Sequence, residues 1–153
     1  MLANTEGNEK LMNFAVDLLQ VIRKTYSQKW KSDWRNELFL GDACHYTIRF
    51  EERYDAYRRA FFKFKSKAPP SILVSLARCY STPGKPPITI EEAEDLAKSA
   101  FETENSIEAA TLIRGICKTQ GREEEFSYWD EILADLEKKK SFMKSEWPEY
   151  LSL

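Results

Sequence analysis

The chain has 153 residues, which fits one domain and is too short for two ordinary ones. A domain of this size buries about 68–70% of its unfolded surface, so it needs no disulfide or metal to fold. Net charge is only −2, but residues 1–85 carry 15 Lys/Arg against 9 Asp/Glu, whereas residues 86–153 carry 8 against 16. That division leaves a basic and an acidic half, which either complement each other or serve charged partners.

Three cysteines, Cys44, Cys79 and Cys117, make an odd count with no close pair. They read as free thiols in a reducing compartment. MLANTEGNEK has no basic stretch leading into an apolar core, and no apolar run approaches ~18 residues. Neither a secretory signal nor a membrane span is expected, and the cytoplasm is the expected location.

Asn4 or Thr5 can cap a first helix reaching about Trp30, with Leu11, Phe14, Ala15, Leu18, Ile22 and Tyr26 along one face. After Ser32, DWRNELFL reads as a short helix that Gly41 ends. Asp42 is a suitable cap for the next helix, expected over 43–66. In that helix Phe50, Tyr54, Tyr57, Phe61 and Phe64 fall within an arc of about 80°. Ala43 and Tyr46 extend this aromatic seam backwards, while Arg58 and Arg59, with Asp55 one turn before, lie on the outer side. The seam makes this the predicted central packing helix.

Pro69 and Pro70 stop it, and Pro70 suits the first turn of a new helix. SILVSLARCY is almost wholly apolar. A short buried helix fits best, although periodicity does not separate that from a buried strand. STPGKPP, 81–87, is a loop between the two halves. Thr89 with Glu92 forms a capping box, with Ile88 at the staple position. Asn105 with Glu108 suggests a second box, for a helix ended by Gly121. The last long helix runs from about Arg122 to Ser145, with Phe126, Trp129, Leu133, Leu136 and Met143 as its buried stripe. Residues 147–153 form a tail.

No segment keeps a two-residue alternation, and there is no Asn-Gly or Asp-Gly hairpin turn. The predicted fold is all-α: a single compact domain, 1–153, of about six or seven helices, mostly antiparallel neighbours. IRGICKTQGREEEFSYWDEIL superficially resembles the turn region of a tetratricopeptide unit. Phe126 stands where those units want a small residue, Asp130 where they want an aromatic, and no second copy occurs. It reads as one helical hairpin.

Chemistry-bearing groups are sparse. The single histidine, His45, follows Cys44, but adjacent residues on a helix point about 100° apart and do not pair as nucleophile and base. One histidine and three scattered cysteines lack zinc-ligand spacing. Glu91, Glu92, Glu94 and Asp95 crowd one turn without a second acidic pair downstream, and acids there suit the helix dipole. With five glycines and neither G-x-x-x-x-G-K-[ST] nor G-x-G-x-x-G, no phosphate loop is readable. No catalytic residue, metal or cofactor is expected.

On the last helix Glu124, Tyr128, Glu131 and Asp135 fall within about 60° of one another, opposite the buried stripe. Glu123 and Asp130 flank them. A solvated face is the commoner explanation of such a stripe. The functional reading is a docking surface for a basic protein: carboxylates along a rigid helix imitate phosphates, attract a cationic cleft and leave Tyr128 as an anchor. The expectation is a non-catalytic protein-binding module, most concretely an inhibitor or immunity-type protein that neutralises a toxic enzyme such as a nuclease. Its partner would present a basic surface. The alternative is a nucleic-acid-binding helical domain using the basic faces of 23–35 and 49–67, where aromatics alternate with Lys/Arg. An acidic pI of about 5.6 counts against that. A third reading is an enzyme whose site is assembled from distant residues.

Overall fold

Alternating three- and four-residue apolar spacing gives helices throughout. The computed structural model describes residues 2–64 and 67–146, with side chains from Gly7 to Met143; the expected 147–153 tail lies outside these. Eight α-helices and no strand occur among the described residues: α1 (Leu2–Thr25), α2 (Ser27–Ser32), α3 (Arg35–Tyr46), α4 (Phe50–Phe61), α5 (Pro70–Ala77), α6 (Ile90–Thr103), α7 (Ile107–Thr119) and α8 (Glu123–Glu146). A 3₁₀ turn, Arg78–Ser81, follows α5. The all-α single domain is as expected, and SILVSLARCY is helical.

Helices α3/α4, α5/α6 and α7/α8 form three successive hairpins laid side by side, with α1 against α3 at one end. The interior is a relay of small cores. Val16, Trp30, Leu40, Cys44 and Ala56 make the first; Tyr57, Ala60, Ile72, Leu76 and Cys79 the second. Leu73, Val74, Ala100 and Ala109 continue it towards the largest, where Ala93 and Ala97 of α6 meet Ala110, Ile113 and Ile116 of α7 and Trp129 and Leu133 of α8. No single helix is central, which corrects the expected arrangement.

The expected helix over 43–66 is two helices. α3 runs through Gly41 and Asp42 to Tyr46, and Ile48 at φ 60° then turns the chain into α4. The amide of Ile48 donates to the His45 carbonyl (3.3 Å) and that of Arg49 to Cys44 (3.0 Å), the paired bonds of a Schellman ending. Gly41 therefore ends nothing. It is buried where α3 meets α4, and a Cβ there would lie 2.9 Å from Cζ of Tyr57. Asp42 caps nothing either: its Oδ1 accepts from the Tyr57 hydroxyl at 2.6 Å. The aromatic seam does face inward along α4 and just beyond it, where Tyr54, Phe61 and Phe64 pack against the core that holds Tyr57.

Other boundaries move less. The first helix breaks at Tyr26, and the bend brings Trp30 into the first core. The Thr89–Glu92 box forms, with Thr89 Oγ accepting from the Glu92 amide (3.1 Å) and Glu92 Oε2 accepting from the Thr89 amide (2.8 Å). The next cap is Ser106, not Asn105, its Oγ accepting from the Ala109 amide at 3.1 Å. Met143 of the expected α8 stripe is exposed.

Candidate functional site

Gly121, at φ 68°, closes α7 with the same pair of bonds, Gly121 to Lys118 (3.2 Å) and Arg122 to Cys117 (2.9 Å). Arg122 then fastens the start of α8. Its Nη2 donates to the nearly buried Glu94 (2.7 Å) and its Nη1 to Glu125 (2.8 Å). Burial opposes ionisation of Glu94, but hydrogen bonds from Lys98 and Arg122 hold its carboxyl below the ordinary range. Inside, Trp129 meets Phe101 edge-on at 5.0 Å.

This orientation leaves Glu124, Tyr128, Glu131 and Asp135 exposed on one outward arc. None of the three carboxylates has an ion-pair partner among the described residues. Tyr128 is steadied by an edge contact with Trp129 (5.5 Å). Glu123 stands exposed at the flank. Asp130 is engaged: it accepts from Arg114 at 2.6 Å, and Arg114 lies over the Phe126 ring at 5.9 Å. The stripe is thus four residues with one free flank and one tethered flank.

The two basic stretches meet elsewhere. Lys31, Ser32 and Trp34 from the first line an open cleft of about 640 Å³ with Arg59, Phe62, Lys63 and Phe64 from the second. Trp34 and Phe64 stand edge-to-face at 5.8 Å, and Lys63 Nζ donates to the Lys31 carbonyl (3.0 Å). Arg59 binds the buried Glu37 through two nitrogens, at 3.1 and 3.0 Å. Arg35 is held by Asp33, and Arg58 stacks on Phe62 at 5.3 Å.

His45 lies in the last turn of α3 rather than at a helix start. Arg53, 4% exposed, donates Nη1 to His45 Nδ1 (2.8 Å) and Nη2 to Thr82 Oγ1 (2.7 Å). Arginine has only donors, so Nδ1 accepts and the imidazole proton sits on Nε2. No carboxylate pairs with Arg53 among the described residues. Burial pushes the Cys44 thiol up to about 11, which suppresses the thiolate a nucleophile requires. All three cysteines are free and buried. No cluster of three His, Cys, Asp or Glu suited to a metal occurs among the described residues.

Arg53 and Glu37 escape the periodicity argument because they are charged. A signal existed for Arg53: its helical angle places it about 20° from the edge of the aromatic arc. No protein-family model, curated protein or solved structure matches this chain.

Proposed function

We propose that the protein is a non-catalytic binding module that docks a basic protein surface on the outer face of α8. Its most concrete form is an inhibitor or immunity-type protein that neutralises a toxic enzyme such as a nuclease. The supporting observation is the unpaired outward stripe Glu124, Tyr128, Glu131 and Asp135. Every ion pair among the described residues joins members of the same half, so no pair across the halves offsets the acidic excess of the second. Among the described residues no helix is long and apolar enough to cross a membrane. Free buried thiols suit the cytoplasm, where we place the protein.

The test is titration of the purified protein with the product of the adjoining reading frame at 50 and 500 mM salt. A stoichiometric complex is expected, with association slowing steeply at the higher salt. Glu124→Lys with Glu131→Lys should slow association at least tenfold at 50 mM. Undiminished binding by that double variant removes α8 as the docking face. The cleft formed by Lys31, Trp34, Phe62, Lys63 and Phe64 supports the second reading, a single-stranded nucleic-acid groove. Retention on heparin and a gel shift that weakens with salt would select it.

A further inference from the structure

The cleft where α2 and α4 end holds more positive charge than the fold neutralises. Its two neighbouring carboxylates are taken, Glu37 by Arg59 and Asp33 by Arg35. Lys31 and Lys63 line the cleft and form no ion pair among the described residues. Lys63 gives one proton to the Lys31 carbonyl and keeps two for another acceptor. The same walls carry three aromatic rings. Trp34 and Phe64 are turned edge-to-face on each other. Phe62 is 67% exposed, with Arg58 over its ring, so this side chain is largely open. A volume of about 640 Å³ lies within the ~300–1,000 Å³ of small-ligand sites.

We infer that this cleft takes a single nucleotide, with its base stacked on Phe62 and its phosphate held by Lys31 and Lys63. The inference rests on the second reading of the cleft and narrows it from a strand to one unit. Rings and charge together select the ligand. A bare phosphate would leave the rings unused, and an uncharged aromatic would leave the ammonium groups unused. The neighbouring surface sets the limit of one. Arg59 also lines the next cleft, of about 460 Å³, between α1 and α4. There Asp17, Glu52 and Asp55 balance Arg23, Lys24 and Arg49, and no aromatic ring lines the walls. A second nucleotide on that side would find neither stacking nor net attraction. A free nucleotide and the phosphorylated end of a strand offer the same chemistry to the cleft. The site shares no residue with the α8 stripe, so the two are tested separately.

The experiment is NMR titration of the ¹⁵N-labelled full chain at 50 mM salt with AMP, GMP, CMP and UMP up to 5 mM. Inorganic phosphate and 5′-phosphorylated tetranucleotides are titrated beside them. At least one mononucleotide should bind, with amide shifts centred on 31–34 and 59–64, and inorganic phosphate should bind at least tenfold more weakly. Lys31 and Phe62 are exposed, so Lys31→Glu and Phe62→Ala should keep the helical circular dichroism of the wild type. Each should weaken nucleotide binding at least fivefold. A tetranucleotide that binds as the mononucleotide does admits a strand end, and one that does not bind restricts the cleft to free nucleotides. Tetranucleotides binding more than tenfold tighter than any mononucleotide overturn the inference and leave the strand reading standing. Absence of binding by both kinds overturns both readings. Phosphate binding as tight as that of the nucleotides, or undiminished binding by Phe62→Ala, also overturns the inference.

Discussion

Arg53 is a buried cation whose hydrogen bonds among the described residues go to uncharged acceptors, and this makes His45 a conditional part of the fold. Only neutral His45 can accept from Arg53. Protonation would break that bond and set a second positive charge beside the buried guanidinium, an effect that solvent at the exposed imidazole screens in part. Burial, then Arg53 and Arg78, lower the His45 pKa below its ordinary 6.5, against a smaller opposing pull from Asp42. The folded state therefore prefers the neutral ring. Above pH 6.5 both states are neutral and the contribution is fully present; below it the unfolded chain takes up the proton first, and stability falls until the folded pKa is passed. The urea midpoint should be flat above pH 7 and decline between 6.5 and 5. The acids with lowered values, Asp33, Glu52 and Glu94, act only below their ordinary 3.8–4.5. His45→Asn should flatten the decline between pH 6.5 and 5; a variant that keeps the full slope removes His45 as its source.

At the scale of elements, α3 and α7 end by the same device with different residues. Gly121 takes the left-handed position after α7 at no steric cost, whereas Ile48 takes it after α3. A β-branched residue there costs about 1–2 kcal/mol. Ile48 is 71% exposed and recovers little of this by packing. Ile48→Gly should therefore stabilise the protein by about 1 kcal/mol, less a part returned as unfolded-chain entropy, whereas Ile48→Val should give no gain. Urea unfolding checks both. The same residue explains why the break between α3 and α4 was not legible. Isoleucine carries no stop signal, and Ala43 and Tyr46 happen to stay in phase with Phe50 and Tyr54 across the turn. Glycine at 121 and the Thr89–Glu92 box do carry local signals, and those boundaries were readable. Gly41 misled for the opposite reason: its role is to admit the Tyr57 ring, sixteen residues away, and no local pattern records a long-range contact. On α8 the outward arc was legible because helical angle alone sets it. The tether of Asp130 was not, because Arg114 reaches it from another helix.

Across the whole molecule, stability should follow the relay of cores. The largest lies among α5 to α8, and the hairpins towards the amino end rest on smaller ones. α1 touches the rest chiefly through α3 and offers Val16 as its one buried apolar side chain among those described. Periodicity identified an apolar face on this helix but was silent on whether anything covers it. Loosely held helices open without global unfolding, so amide exchange at 1 µM should be fastest in α1 and slowest in α6 and α7. Protection of α1 already equal to that of α7 at 1 µM would show that the chain itself holds this helix far more tightly than its packing implies.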